Sequence, residues 1–277
     1  MRSLVNLLDE EVPVISGIIQ KLYLDDISVG RVDFTTSRNK QGLHLDEVIM
    51  SAPHMKVVGQ GDWTNAHGKQ VTTLDLTLSS DDFGNMLHTL GFAAIIDNGS
   101  AQAVAKLSWQ DAMTKFSLKK LNGEVQFNLK NGTIKEVDPG AGRMLGLFSL
   151  SALPRKLFGD FKDIFKTGFV FDEAKGEINI RQGDAYTEGF EITSPAAKVT
   201  INGRTGIAAR DYDNTVTVVP DVGGTAAGVI ALLGNIPAGI GVWLVNKLSG
   251  DQINKGSTRK YEISGSWEKP VIKQINQ

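Results

Sequence analysis

The side chains with catalytic or metal-binding chemistry are scattered along this chain of 277 residues. Its four histidines, His44, His54, His67 and His88, form no His-x-His or His-x-x-x-His pair that could chelate a metal on one strand or helix. Ser149 lies outside the Gly-x-Ser-x-Gly turn that exposes and activates a serine nucleophile. The absence of cysteine excludes disulfides, thiolate metal sites and cysteine nucleophiles. We therefore expect no metal site and no catalytic residue.

One glycine-rich stretch, Gly140-Ala141-Gly142-Arg143-Met144-Leu145-Gly146, has some features of a dinucleotide-binding turn. Its third glycine comes one position late, and no parallel alternation of strand and helix follows it. The carboxylates Asp160, Asp163, Asp172 and Glu173 are interspersed with aromatic residues, and carboxylates of this kind commonly cap turns. The sequence thus predicts neither a cofactor nor an enzyme.

The composition is that of a globular protein, with 41% hydrophobic and 22% charged residues. The 29 Lys and Arg nearly balance the 31 Asp and Glu, and a net charge of -2 provides no field for binding a nucleic acid. The apolar run at residues 3–8 is too short, and too soon followed by acidic residues, for a signal peptide. We expect the chain to be part of a longer protein.

Alternating apolar and polar residues recur along the chain, first between 28 and 107 and again between 176 and 267. This period of two is typical of antiparallel strands with one buried face and one face in water. An Asn131-Gly132 pair between two alternating runs predicts a hairpin turn. About ten strands with few helices to cover them indicate a mainly β fold, an elongated antiparallel sheet that folds over itself. Its interior is either an apolar groove for a guest or a filled core, and periodicity does not distinguish these.

A short helix near 81–90 is predicted within the strand pattern. Two aspartates precede it, and Phe83 and Leu87 share one of its faces. Further short helices are expected over 2–8 and 141–150.

The stretch 222–246 contains no charged residue. Pro237 interrupts it, so it predicts a helical hairpin over 224–249 whose halves, of roughly ten residues each, are too short to span a bilayer. The hairpin either contacts a membrane interface or plugs one end of the sheet. Its membrane-contact candidates are Ile230, Leu232, Leu233, Ile240, Trp243 and Leu244.

Several motifs of the chain match one known family in the same order. They include the run 140–157, Asp211-Tyr212-Asp213 and Tyr261-Glu262-Ile263-Ser264-Gly265-Ser266-Trp267, with Gly59-Gln60-Gly61-Asp62-Trp63 fitting as well. Together they resemble the C-terminal region of the YhdP branch of AsmA-like proteins. Where that family has two arginines after a proline, this sequence has Arg155-Lys156, which keeps the charge.

The resemblance implies a periplasmic portion of a long Gram-negative envelope protein anchored in the inner membrane. Such proteins resemble bridge-like lipid transporters, whose strands form a trough for phospholipid acyl chains. On this basis we expect a non-enzymatic lipid-transfer domain that shields acyl chains in an apolar β groove. It would serve phospholipid transport from the inner to the outer membrane and maintenance of the outer-membrane barrier. The alternative is an envelope scaffold with a solid core that docks a partner protein.

The expected cargo is phospholipid, with no nucleic-acid partner, and protein partners are left open. We expect residues 1–137 to form groove repeats, with the short helix near 81–90, and residues 138–277 an AsmA-like C-terminal domain that contains the hairpin. If the hairpin contacts a membrane, the resemblance implies the outer membrane. Inward-facing strand residues are the candidates to bind acyl chains. They are Val57, Trp63, Leu74, Leu76, Leu78, Val125, Phe127, Leu129, Val199, Ile201, Val216 and Val218.

Overall fold

The computed structural model describes residues 15–24, 27–39, 42–91, 96–134, 169–195, 197–220, 258–267 and 269–275. The strands are β1 (Ser16–Leu24), β2 (Ile27–Asn39), β3 (Gly42–Ala52), β4 (Met55–Ala66), β5 (Lys69–Ser80), β6 (Ile96–Gln110), β7 (Asn122–Ile134), β8 (Phe169–Arg181), β9 (Asp184–Thr193), β10 (Ala197–Gly206), β11 (Asp211–Pro220), β12 (Arg259–Ser266) and β13 (Lys269–Ile275). The helices are α1 (Phe83–Thr89) and two single-turn 3-10 helices, Met113–Lys115 and Leu118–Lys120.

The described strands form one antiparallel sheet whose spatial order is the order of the chain. Each strand pairs with its neighbours in sequence, and β1 and β13 are the outer strands of an open sheet. Because neighbouring strands lie about 4.8 Å apart, the sheet extends about 58 Å from β1 to β13. The predicted mainly β, antiparallel fold is confirmed, with 13 strands in the sheet.

The strand ends form two edges of the sheet, which we call the turn edge and the helix edge. The described part of the turn edge consists of residues 67–68, 111–121, 182–183, 207–210 and 267. The described part of the helix edge consists of residues 53–54, 81–91 and 194–195. At the helix edge the chain also passes from β7 into 135–168 and from β11 into 221–257.

The strand registers separate the side chains onto two faces of the sheet. Residues paired across neighbouring strands share a face, so the pairs Val57–Leu78, Leu78–Ala103 and Ala103–Phe127 place four apolar residues on one face. The intervening residues, such as Gln126, point to the other side and are exposed. Period-two alternation thus produces an apolar face and a polar face, as the sequence predicts.

The apolar face packs into three clusters of buried side chains. The largest joins α1 to strands from β6 to β13 and contains Phe171 and Val216, which are 1% and 0% exposed. The second cluster consists of Val32, Leu45 and Val48, and the third of Trp109, Leu121 and Ile180. Burial is therefore continuous in the C-terminal half of the sheet and more local in the N-terminal half.

Gly59 and Gly61 of β4 lie on the apolar face, where large side chains of β5 cross β4. A Cβ on Gly59 would overlap the Asp75 carbonyl oxygen and lie 2.5 Å from Leu76 Cδ2, and one on Gly61 would overlap the Thr73 carbonyl oxygen and lie 2.6 Å from Leu74 Cδ2. A leucine methyl group can move aside but the backbone carbonyls of β5 cannot, so a glycine is required at both positions. Leu74 and Leu76 thereby pass over β4 and pack against the second cluster, in β2 and β3.

Helix α1 covers the apolar face near the helix edge. Asp82 caps it, because its Oδ1 accepts a hydrogen bond of 3.0 Å from the backbone N–H of Asn85, which also lowers the pKa of the Asp82 carboxyl. Phe83 and Leu87 are buried against the sheet, which confirms the predicted amphipathic helix. The Phe83 ring lies 5.6 Å from the ring of Phe127, measured between centroids.

The predicted hairpin turn at Asn131-Gly132 is wrong, because β7 runs through both residues. Asn131 has a φ of 56° and is passed over in the pairing with β6, as is Gly99, whose φ is 86°. A residue with positive φ next to a glycine is compatible with the interior of a strand as well as with a turn between strands. Here the two left-handed residues lie opposite each other inside paired strands, and the register is the same on both sides of them.

The predicted helices over 2–8 and 141–150 and the predicted hairpin over 224–249 lie outside the described residues. The C-terminal residues that the structure describes form β12 and β13.

The predicted boundary between 137 and 138 falls between β7 and β8, which pair within the one sheet. The division into two domains stays a prediction. Among the described residues, no helix has the length and hydropathy needed to cross a bilayer.

Candidate functional site

All twelve residues predicted to bind acyl chains lie on the apolar face. Val57 pairs with Leu78 across β4 and β5, and Val199 pairs with Val218 across β10 and β11. The two groups are connected through the pairs Ser80–Ala101, Ala101–Leu129, Leu129–Ala174, Ala174–Ile192 and Ile192–Val199. The sheet therefore places side chains that are far apart in sequence on one continuous surface.

Exposure divides these twelve residues into two sets of six. The buried set, which is concentrated on β10 and β11, is Val57, Leu129, Val199, Ile201, Val216 and Val218. The partly exposed set, on β4, β5 and β7, is Trp63, Leu74, Leu76, Leu78, Val125 and Phe127. Only the second set is open to contact with a bound molecule without rearrangement of the packed side chains.

Strands β5, β6 and β7 carry the partly exposed centre of the apolar face, which we call the open face. It consists of Leu74, Leu76, Leu78, Ala103, Ala105, Leu107, Val125 and Phe127. Ala103 and Ala105 lie between larger side chains of β5 and β7, so the surface is lowest along β6. The open face has the chemistry of an acyl-chain contact, because it is built from aliphatic and aromatic carbon.

The polar face holds the ion pairs of the sheet. Arg204 donates from Nη1 to Asp184 Oδ1 at 3.0 Å and to Asp211 Oδ1 at 2.9 Å. The hydrogen bond to Asp211 raises the pKa of the Arg204 guanidinium. Lys175 Nζ likewise lies 2.6 Å from Glu173 Oε2. The charged groups are thus paired on the face opposite to the open face.

A cavity of about 550 Å³ lies on the polar face near the helix edge. Its wall includes the polar side chains Lys56, Ser79, Gln102, Asn128 and Lys130. These groups suit a hydrated polar molecule and not an acyl chain. The cavity is therefore distinct in chemistry from the open face.

Two of the described histidines contact aspartate side chains. His44 Nδ1 lies 2.9 Å from Asp62 Oδ1, and His54 Nδ1 lies 3.0 Å from Asp81 Oδ1. Within the described ranges, no group of three or more His, Cys, Asp and Glu residues could hold a metal ion. The glycine-rich stretch 140–146 and the side chains of Ser149, Asp160 and Asp163 lie outside the described residues.

The matches to known proteins agree with the sequence motifs. A family model described as YhdP protein matches residues 2–272. The chain belongs to the YhdP family. It is 28% identical over 247 residues to a protein of Escherichia coli (strain K12), the intermembrane phospholipid transporter YhdP. That alignment covers 89% of this chain and 20% of the relative, so this YhdP-family chain spans about a fifth of the relative's length. No solved structure matches it.

Sequence reasoning missed the β6 part of the open face in this YhdP-family chain. Ala103, Ala105 and Leu107 lie between predicted residues of β5 and β7. The signal was alternation from Ala101 to Leu107, but Val104, on the polar face, is also apolar and obscured it. Val104 is 48% exposed, so the structure distinguishes the two faces where composition did not.

The predicted membrane-contact residues belong to the segment 224–249 and lie outside the described residues. The strands that flank this segment, β11 and β12, pair with each other, and both meet the helix edge at its ends. The segment is thus joined to the sheet at the helix edge.

Proposed function

We propose that this YhdP-family chain is a periplasmic lipid-transfer domain that shields phospholipid acyl chains on its open face. The observation that carries this proposal is the row of aliphatic side chains from Leu74 to Leu78, with Val125 on the far side of β6, all partly exposed next to the packed C-terminal half of the apolar face. The family and the name of the E. coli relative support phospholipid as the cargo.

The energetic basis of the proposal is removal of acyl methylenes from water. Each methylene that leaves water contributes about 0.8 kcal/mol. From Leu74 to Leu78 the open face extends about 14 Å along β5, which is long enough to contact many methylenes of one chain. The head group would stay in water beyond the strand ends, so no charge needs to be desolvated.

In this proposal the apolar face is the wall of a groove that runs across the strands. Residues of the open face would contact lipid directly. The buried residues Val199, Ile201, Val216 and Val218 would act as packed support unless the C-terminal half of the sheet opens. The groove would thus be accessible at β4 to β7 and filled with side chains at β8 to β13.

The proposed setting is the periplasmic portion of an inner-membrane-anchored envelope protein that moves phospholipid to the outer membrane and maintains its barrier. The segment 224–249 would contact the outer membrane through its apolar residues. We also propose that residues 1–137 act as groove repeats and residues 138–277 as the C-terminal domain. No observation on the described residues favours the scaffold alternative, and no catalytic role is proposed.

Photocrosslinking tests the proposal with matched positions on the two faces. A photoreactive amino acid at Leu76 or Val125 is expected to form phospholipid adducts, detected by mass spectrometry of the purified protein. The same amino acid at Thr77 or Gln126, the next residues on the polar face, provides the control. Adducts at equal yield on both faces, or on neither, would contradict the proposal.

A charge substitution gives an independent measurement. Leu76→Asp introduces a carboxylate into the open face and is expected to reduce copurified phospholipid severalfold, because the acyl chain would desolvate that charge. Thr77→Asp changes the net charge equally on the polar face and should leave the phospholipid content unchanged. Phospholipid is quantified after organic extraction.

A further inference from the structure

The turn edge carries an ordered loop with exposed apolar side chains. Within residues 111–121, Phe116 is 48% exposed and Leu118 is 43% exposed. The Phe116 ring packs edge-on against Trp109 with a centroid distance of 5.3 Å, so its exposed position is fixed. Lys120 Nζ also holds the loop, at 2.9 Å from Asp111 Oδ2.

Backbone hydrogen bonds join the neighbouring turns into one platform. Gly183 N–H donates to the Leu121 carbonyl, and Ile207 N–H donates to the Gly183 carbonyl, each at 2.9 Å. Trp267 N–H donates to the Arg210 carbonyl at 2.9 Å. Four connections that are distant in sequence therefore present a single surface at this edge.

The platform is basic although the whole chain has a net charge of -2. Six Lys and Arg residues lie in these four connections or within two residues of them, against four Asp and Glu. Three of the cations, Lys115, Lys119 and Lys120, flank the exposed Phe116 and Leu118. Asp184 and Asp211 accept hydrogen bonds from Arg204, and Asp111 lies 3.8 Å from Lys115 Nζ and 2.9 Å from Lys120 Nζ. The side chains of these two lysines are 66% and 50% exposed, and together they exceed the one charge of Asp111.

We propose that the turn edge is a docking surface for an anionic phospholipid bilayer, with Phe116 and Leu118 entering the head-group layer and the flanking lysines contacting anionic head groups. Lysines around exposed apolar residues are the arrangement by which peripheral proteins bind such surfaces. A protein surface would also accept cations, but the apolar contacts beneath the loop favour lipid.

Those contacts run from the turn edge to the open face. Trp109, which carries Phe116, belongs to the third cluster, and Leu74, Leu107 and Val125 pack against that cluster. A lipid that left a bilayer docked at this edge would meet apolar side chains throughout its path. This lipid path to the open face rests on the proposed function, whereas the charge and exposure of the turn edge do not.

Vesicle flotation of the full chain tests the docking surface. The unmodified protein is expected to bind vesicles of phosphatidylethanolamine and phosphatidylglycerol, to be released as salt rises, and not to bind phosphatidylcholine vesicles. Phe116→Ser with Leu118→Ser should weaken binding about tenfold. Lys115→Glu with Lys119→Glu should weaken it by about fivefold per lysine and flatten the salt dependence.

Matched controls use residues on the polar face away from the turn edge. Val104→Ser with Val170→Ser removes two apolar side chains that are 48% and 43% exposed. Lys56→Glu with Lys260→Glu makes the same change in net charge as the lysine variant. Both control proteins should float as the unmodified protein does. Circular dichroism melts check that all variants are folded, and the lysine variant remains informative if loss of Phe116 disturbs Trp109.

Two results would overturn the docking surface. The first is equal flotation of the Phe116→Ser, Leu118→Ser protein and its control, the Val104→Ser, Val170→Ser protein. The second is a failure of the unmodified chain to bind anionic vesicles, which would point to an acidic protein surface as the partner. Crosslinking at Leu76 with phospholipid supplied in detergent micelles requires no docked bilayer. Loss of flotation with intact crosslinking therefore rejects only the docking surface, and the reverse result rejects only the proposed function.

Discussion

Gly61 shows how a single missing Cβ shapes the apolar face. Its place between Leu74 and the second cluster has no space for a side chain, since an added Cβ would lie 2.6 Å from Leu74 Cδ2 and closer still to the Thr73 carbonyl oxygen. The residue contributes to the fold by the space that it leaves for Leu74.

Gly61→Ala is therefore expected to destabilise the protein by about 1–3 kcal/mol, the cost of overpacking a closely packed site. Urea unfolding followed by circular dichroism measures this change. Gln60→Ala, at the exposed neighbouring position, should stay within about 0.5 kcal/mol of the parent protein. A Gly61→Ala protein as stable as the Gln60→Ala protein would contradict the close approach of Thr73 and Leu74 to Gly61.

Asp82 contributes through its ionised carboxylate. Asp82→Ala should cost about 1 kcal/mol at neutral pH, because the first turn of α1 loses its cap. The folded-state pKa of Asp82 is lowered, so its stabilisation is present above the unfolded pKa of about 3.9 and is lost as pH falls through the folded value.

Urea unfolding measures the free energy of unfolding of the parent and Asp82→Ala proteins from neutral to acid pH. The difference between the two free energies should shrink as the pH falls. Asp81→Ala is the neighbouring control, since the Asp81 side chain is 81% exposed and makes no cap. A difference for Asp82→Ala that stayed constant down to acid pH would show that the carboxylate charge is not the cause.

At the scale of the element, α1 determines how much of the apolar face is covered. Phe83 is 3% exposed and contacts Phe127, which belongs to the open face. Phe83→Ala is expected to destabilise the protein by about 3 kcal/mol through the cavity that it leaves. His88→Ala, on the exposed side of α1, should change stability by less than about 0.5 kcal/mol.

Thermal unfolding of the two α1 variants measures the contrast. If both melt at the parent temperature, α1 does not hold the apolar face as its contacts indicate.

Alternation along the strands was sufficient to place all twelve candidate residues on one face, the apolar face. It was not sufficient to say which of them are covered, because a period of two assigns a face and carries no information about what packs on it. Val57 is 7% exposed while its partner Leu78 stays partly open, although the two have the same local pattern.

The course of β7 through Asn131-Gly132 shows a second limit of sequence reasoning. The left-handed conformation that favours this pair occurs in turns and also inside strands, and the pairing with the neighbouring strand decides between them. Gly99 of β6, itself in a left-handed conformation, is passed over beside Asn131. Long-range pairing, which local sequence does not encode, therefore decided the outcome.

At the scale of the whole molecule, stability is expected to differ along the sheet. Strand β1 has register shifts in its pairing, and Ile18 and Ile19 are 57% and 39% exposed although they are adjacent residues on opposite faces. In β10, by contrast, Val199 and Ile201 are 7% and 4% exposed and belong to the largest cluster.

Hydrogen exchange should therefore be faster in β1 than in β10 by at least about tenfold, since segments with few buried contacts open locally. Mass spectrometry of peptides from the intact chain measures both strands in one experiment. Equal protection of β1 and β10 would mean that the sheet opens only as a whole.

The described strands lie in the sheet in the order in which they occur in the chain, and this order favours assembly of the sheet strand by strand. Each described strand after β1 pairs with the strand immediately before it in the sequence, so most pairing steps close a short loop, and the exceptions are the steps across 135–168 and 221–257. Such a sheet can assemble strand by strand as the chain is synthesised, each new strand using the last one as its template. Duplication of a hairpin would lengthen the sheet by about 10 Å without altering any other pairing.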